Sequence, residues 1–255
     1  MAVANVSIKN LSKEYQTEAA NVQALRNINL DIHDSEFLCV VGHSGCGKTT
    51  LLNILAGFLK PTSGELLLDG SPIARRKMNI GVVFQEYALF PWRTALQNVA
   101  FGLEMQGLPK AEAREKARDL LRLVHLDDFA DVYPHELSGG MRQRVAVSRA
   151  MAYEPDLLLM DEPFGALDAQ TRERLQSLTE EVWQKTRMTV FYVTPNLSEA
   201  VYLGERVVIM RPKPGRIHEV VKIDLPRPRD PLSIEFVEIQ RYITDAIKAD
   251  KPVEH

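Results

Sequence analysis

Cysteine is scarce in this chain: two in 255 residues, Cys39 and Cys46. Two cysteines cannot make a disulfide framework, and they fit a reducing compartment. Long apolar runs are missing as well. No stretch approaches about eighteen consecutive apolar residues, the length of a bilayer-spanning helix, so work at a membrane would need another chain to hold this one there. The N-terminus, Met1 to Asn10, lacks a basic stretch followed by an apolar core and does not read as a signal peptide. Neither charge sign is in large excess. Lys and Arg number 31 against 34 Asp and Glu, and the net charge of −3 gives no overall pull toward nucleic acid. Internal repeats and low-complexity tracts are also lacking. What is there is 45% hydrophobic, enough to bury a full core in one large α/β domain or in a domain with a lobe.

Val6 to Lys9 and Leu25 to Ile32 alternate as strands do, with a turn at Asp34-Ser35. Glu36 to Gly42 reads as a buried strand. A helix from Thr49 to Phe58 follows and stops at Lys60-Pro61. Leu66 to Leu68 and Ile80 to Gln85 are further strands. From about Thr94 to Ala152 the pattern turns helical, with breaks at Asp127-Asp128 and Tyr133-Pro134, and is expected to form an inserted lobe. Strand character returns at Leu157–Met160, Thr189–Val193 and Arg206–Met210, with helices at Gln170–Lys185 and Leu197–Leu203. This alternation indicates a largely parallel sheet. The tail beyond Pro226 is rich in Pro and Arg, then helical from about Ser233 to Ala249.

Two segments carry chemistry. Gly42-His43-Ser44-Gly45-Cys46-Gly47-Lys48-Thr49-Thr50 sits between a strand and a helix, the context of a Walker A loop. Its glycines let the backbone curl so that N–H groups point at phosphate oxygens, and the helix beginning near Lys48 adds its positive end. Lys48 is expected to reach the β and γ phosphates, the Thr49 hydroxyl to ligate Mg²⁺, and the Thr50 hydroxyl to meet the α phosphate. Leu157 to Met160 followed by Asp161 and Glu162 is the pattern of a buried parallel strand ending at a site. Asp161 would hold Mg²⁺, and Glu162 would orient or deprotonate an attacking water.

Those two segments, together with Gln85, Leu137-Ser138-Gly139-Gly140-Met141-Arg142-Gln143 and Ala166-Leu167-Asp168, follow one another in an order that resembles the ATP-binding cassette (ABC) ATPases over roughly residues 4 to 220. The resemblance implies a RecA-like P-loop core with a mostly parallel sheet, an N-terminal antiparallel β subdomain and an inserted helical subdomain. The core would cover residues 1–92 and 153–225, the helical subdomain 93–152, and a tail 226–255. It implies dimers that enclose each ATP between the Walker loop of one copy and Ser138, Gly139 and Gly140 of the other. A serine N-cap before two bare glycines is in itself an anion-binding helix start. Gln85 would touch Mg²⁺ and the water, and Tyr15 would stack on adenine. Tyr87, Phe90 and Trp92 would face the groove that receives a membrane subunit, or else pack the lobe's own core. Asp168 would lie at the dimer seam, or cap the next helix.

One position departs from the pattern. After Val190 to Thr194 the family places a histidine at the γ phosphate; this chain has Pro195, with no side-chain donor and no N–H. Asn196-Leu197-Ser198-Glu199 reads as a capping box that starts the next helix. Losing one transition-state donor typically slows a reaction by about 10²–10³. Slow turnover, a substitute donor, and pairing with a more complete cassette all remain open, as does an ATP-gated clamp that barely hydrolyses.

A single short cassette without fused membrane helices resembles the separate ATPase subunit of a bacterial importer. Leu89 to Val99, Glu162 to Asp168 and Met210 to Ile217 are similar to the nitrate, sulfonate and taurine importer group. The resemblance implies ATP and Mg²⁺, an identical or different cassette as dimer partner, integral permease subunits, and a periplasmic solute-binding protein reached through them. It places the chain at the cytoplasmic face of the cell membrane. Arg211, Lys213, Arg216, Arg227 and Arg229 read as a solvated surface, with no nucleic-acid partner. A soluble ABC protein acting on nucleic acid is the rival from another class.

Overall fold

A computed structural model describes residues 5–16, 21–72, 79–165 and 167–249. Ala166 and the last six positions of the tail, 250–255, lie outside the described residues. The chain divides into two compact units, Met1–Lys77 with Thr189–His255, and Met78–Met188.

The first unit holds two sheet systems. β1 (Val6–Gln16) and β2 (Asn21–Ile32) pair antiparallel, and β4 (Ser63–Leu68) and the short β5 (Ser71–Pro72) extend them in the order β2-β1-β4-β5. Alternation in β1 and β2 sends Val6, Ile8, Leu25, Ile28, Leu30 and Ile32 inward, each at most 4% exposed. The second system is built on β3 (Phe37–Gly42), a continuous apolar run buried along its length until it ends at a half-buried Gly42. β3 pairs in parallel with β8 (Val190–Val193) on one side and with β9 (Arg206–Arg211) on the other. Burial on both faces explains why these strands show no alternation. β10 (Arg216–Lys222) closes this edge antiparallel to β9.

β10 was not anticipated from the sequence. Its residues alternate between exposed and half-buried, so no position in it carries a fully apolar signal. The Arg-rich reading needs correcting in the same region. Arg229 is only 5% exposed, and its guanidinium donates to the carbonyls of Val201 (2.6 Å), Tyr202 (3.0 Å) and Gly204 (2.6 Å). These are orphan acceptors at the C-terminal end of α6 (Leu197–Leu203). Arg227 bonds the carbonyls of Tyr202 and Leu203. Both arginines are therefore structural caps rather than solvated charges.

Helix α1 (Lys48–Leu55) ends earlier than its apolar pattern predicts. Gly57 adopts φ 75°, and the N–H groups of Gly57 and Phe58 turn back to Ile54 O and Asn53 O, a Schellman stop. The C-terminal helix α7 (Ile234–Lys248) is capped by Ser233 and sinks Phe236 and Ile243 completely.

The second unit joins a parallel pair, β6 (Ile80–Val83) with β7 (Leu157–Asp161), to four helices: α2 (Ala95–Met105), α3 (Lys110–Leu123), α4 (Gly139–Met151) and α5 (Ala169–Thr186). α2 starts with a full capping box, Thr94 with Gln97. α3 buries Ala113, Ala117 and Leu121, one face at four-residue spacing, against Val99 and Val145 in one apolar cluster. No described helix is long and apolar enough to cross a membrane.

Candidate functional site

In the first unit, His43 to Gly47 forms a tight loop between β3 and α1, with Gly42 ending the strand and Lys48, Thr49 and Thr50 opening the helix, as the sequence predicts. Gly47, the N-cap of α1, sits at φ 93°, a conformation that L side chains rarely adopt. A glycine here also brings no side-chain oxygen to the first amides of α1, which leaves them to a ligand. Its bareness matters for packing too, since a Cβ would lie 2.5 Å from Leu25 Cδ2. Lys48 is 7% exposed and folds back over the loop, its Nζ donating to Gly42 O (2.9 Å) and His43 O (3.2 Å). The ammonium is thus held over the loop by two carbonyls and by Cys46 Sγ at 3.9 Å, with no carboxylate among these partners. His43, Ser44, Gly45 and Thr49 are exposed along the loop, and Thr50 is half-buried. The arrangement is a cradle of amides around one fixed cation, which suits a polyphosphate.

Cys46 is buried beneath the loop. Burial pushes its thiol up from the usual value, and the Lys48 ammonium pulls the other way. Tyr15 is 37% exposed on β1, with Lys13 Nζ 5.2 Å from its ring centre. Its strand partner is Val22, three residues before the Leu25 that packs on Gly47.

The segment with Pro195 also belongs to this unit. Pro195 is exposed, and its neighbours are held by a buried polar cluster. The Glu199 carboxylate accepts from Thr194 Oγ1 (2.6 Å) and from the Tyr192 hydroxyl (3.1 Å). Asn196 caps α6 by accepting from the N–H groups of Ser198 and Glu199. Only that half of the expected capping box forms. The Asn196 N–H goes to Thr194 Oγ1, and the Glu199 carboxylate is engaged with Tyr192 and Thr194.

The second unit contains the other predicted residues. Asp161 ends β7, half-buried, and Glu162 follows at φ 46°, a strained value for a side-chain-bearing residue. Gln85 is exposed just beyond β6. A Cβ on Gly165 would lie 3.7 Å from Gln85 Nε2 and 3.8 Å from Glu162 Cβ, so both residues border one small space. Ser138 caps α4 by accepting from Met141 N–H (3.3 Å), and it remains exposed. Gly139 is half-buried, with the Tyr87 hydroxyl and Leu167 beside it. Gly140 is buried, and a Cβ on it would strike Thr171 Cγ2 at 2.6 Å. Its lack of a side chain therefore serves the α4–α5 packing as well as any ligand. Asp168 caps α5, accepting from Thr171 N–H at 3.0 Å, and this bond holds its carboxyl below the usual range.

The aromatic cluster divides. Phe90 packs edge-on against Phe101 at 4.8 Å, whereas Trp92 stands 71% exposed. The loop that carries them is fixed by Asn98, fully buried, which accepts from Phe90 N–H and donates to the carbonyls of Phe90, Arg93 and Thr94. Sequence reasoning missed Arg149 on α4. It donates to the carbonyls of Ala88 (2.6 Å) and Tyr87 (3.1 Å). Its only signal in the sequence is a seven-residue spacing from Arg142.

Comparison with known proteins agrees with this geometry. The family model for the ABC transporter matches residues 25–165. An uncharacterized ABC transporter ATP-binding protein of Methanocaldococcus jannaschii is 53% identical over 243 residues, covering 95% of this chain and 91% of that protein. The taurine import ATP-binding protein of Roseobacter denitrificans is 50% identical over 219 residues, covering 86% and 82%. Among solved structures, a dimeric post-hydrolysis state of an ATP-binding cassette bound to ADP and Pi superposes with a TM-score of 0.77 at 34% identity, covering 87% of this chain and all of that one.

Proposed function

This chain belongs to the ABC transporter family and is an ATP-binding, ATP-hydrolysing cassette; from that premise we propose that it is the ATPase subunit of an importer for a small anionic solute of the sulfonate or taurine class. The single observation that carries the ATP reading is the loop before α1, where Gly47 at φ 93° and the pinned Lys48 build a phosphate cradle. Support for import and for the solute class comes from the relative named for taurine import, half-identical over most of both chains.

In this reading Lys48 and the loop amides bind the β and γ phosphates, and Tyr15 stacks on the adenine. Oxygen donors of the kind that Thr49 and Asp161 offer suit Mg²⁺, which when bound screens phosphate charge. Gln85 and Glu162 hold the attacking water, and Glu162 accepts its proton. Ser138, Gly139 and Gly140 serve a nucleotide bound by a second cassette, identical or different. Residues 1–92 and 153–225 act as the nucleotide-binding core, and 93–152 as the lobe that follows the permease. The chain works at the cytoplasmic face of the cell membrane, beneath permease subunits fed by a periplasmic solute-binding protein.

Pro195 makes this a slowed enzyme rather than an inert one, because Glu162 and the Ser138–Gly140 turn are retained. The test is ATP turnover by the purified full chain. Glu162→Gln and Lys48→Ala are expected to lower kcat by about 10²-fold or more, and Pro195→His to raise it. Wild type turning over no faster than Glu162→Gln would overturn the assignment.

A further inference from the structure

Helix α4, capped by Ser138, also grips the loop that carries Gln85. Arg142 and Arg149 lie seven residues apart, two turns along one face of α4. Arg142 places its guanidinium 5.8 Å from the centre of the Tyr87 ring, and also donates to Leu137 O at 2.8 Å. Arg149 binds the carbonyls of Tyr87 and Ala88 and lies 5.8 Å from the Phe90 ring.

The two residues so gripped are unusual. Tyr87 has φ 61° and Ala88 has φ 46°, consecutive left-handed positions in residues that bear side chains. Each is disfavoured on its own, and such geometry persists only where its surroundings impose it. Tyr87 N–H donates to Phe84 O at 3.1 Å, which makes Gln85 and Glu86 the central residues of a turn. The aim of Gln85 therefore depends on the residue that leaves this turn, Tyr87, and Tyr87 is held in its conformation by Arg149.

We propose that Arg149 is a positioning residue for Gln85, and that through it, Arg142 and Tyr87 the Gln85 loop and the start of α4 form one mechanical piece. The Tyr87 hydroxyl, 3.6 Å from the point that a Cβ on Gly139 would occupy, completes the contact at the helix start. The inference rests on the role given to Gln85 above.

Steady-state ATP turnover by the full chain tests it. Without the guanidinium, two left-handed residues relax, and Arg149→Ala should lower kcat about tenfold or more. The KM for ATP should stay within about twofold, because Arg149 touches no part of the phosphate cradle. Glycine occupies left-handed space without penalty, so adding Ala88→Gly to Arg149→Ala should recover about threefold or more of the lost kcat. A merely structural role for Arg149 would show no such rescue. Arg149→Lys, a milder change able to reach one carbonyl, should give an intermediate kcat and provides the same comparison should Arg149→Ala fold poorly. Wild-type kcat in both Arg149 variants overturns the proposal, and so does a loss that Ala88→Gly leaves untouched. Gln85→Ala separates the two levels. If it is slow while the Arg149 variants are normal, only this proposal fails; if Gln85→Ala turns over as wild type, the role given to Gln85 fails first.

Discussion

Gly215 is given no role in ligand binding by the sequence, yet it packs against the back of the Gly42–Thr50 segment. Its N–H donates to Ala24 O at 3.1 Å and its carbonyl accepts from Arg26 N–H at 2.8 Å. A Cβ added to it would sit 2.4 Å from Ala24 O and 2.4 Å from Cys46 O. Carbon and carbonyl oxygen ordinarily approach to about 3.3–3.6 Å, so Gly215→Ala overlaps backbone on both sides by close to an ångström. Neither oxygen belongs to a flexible side chain, and overpacking of this kind costs about 1–3 kcal/mol. The rigid setting points to the upper end, and about 3 kcal/mol corresponds to a fall of roughly 6–12 °C in melting midpoint for a chain of this size. Gly57→Ala is the matched control. Gly57 is left-handed at φ 75° but would meet nothing within 4 Å, so its alanine carries only the backbone penalty, about 1–2 kcal/mol. Thermal unfolding followed by circular dichroism, with ATP binding measured on the same samples, compares them. Gly215→Ala should melt below Gly57→Ala and bind ATP more weakly, because Cys46 O belongs to the loop proposed to hold the phosphates. A Gly215→Ala protein that melts no lower than Gly57→Ala and binds ATP as wild type would refute the steric argument.

Three further outcomes follow from the same structure. Arg229→Ala leaves the α6 carbonyls of Val201, Tyr202 and Gly204 without their buried donor and should destabilise the chain by about 2–4 kcal/mol in denaturant titration, with little effect on the KM for ATP. Cys46 is buried with its thiol pushed up, so it should resist iodoacetamide at neutral pH in the folded chain and react at the rate of a free thiol in denaturant. Asp168 has a folded pKa depressed by the Thr171 N–H, so its contribution is present above the unfolded-state value and is lost as pH falls through the folded one. The melting difference between wild type and Asp168→Ala should therefore be largest near neutrality and shrink in acid.

The parts of this fold that were legible in the sequence were those where burial writes a strong pattern. Leu38 to Val41, Leu157 to Met160 and Val207 to Met210 are apolar without interruption because each of these strands is buried on both faces. The loop from Gly42 to Thr50 could be placed because glycines, lysine and threonine at that spacing have few other uses. Elements held by backbone-directed polar bonds were harder to see. β10 presents an amphipathic edge, and its residues resemble a charged tail. Arg227 and Arg229 are spent on carbonyls, and carbonyl acceptors leave no mark on side-chain identity. Arg149 was hidden for the same reason: its partners are the carbonyls of Tyr87 and Ala88, whose left-handed φ values nothing in their residue types announces. Glu199 was legible as a helix-start acid, but its proximity to Tyr192 and Thr194 depends on how β8 and α6 meet.

The most direct test of the account is the mass of the full-length Glu162→Gln chain in solution, by size-exclusion chromatography with light scattering, with and without Mg-ATP. If each nucleotide is closed between the phosphate loop of one copy and the Ser138–Gly140 turn of another, ATP should convert the variant from one chain to two, and Ser138→Arg should abolish the shift. A variant that binds ATP and stays a single chain at every ATP and protein concentration would contradict it.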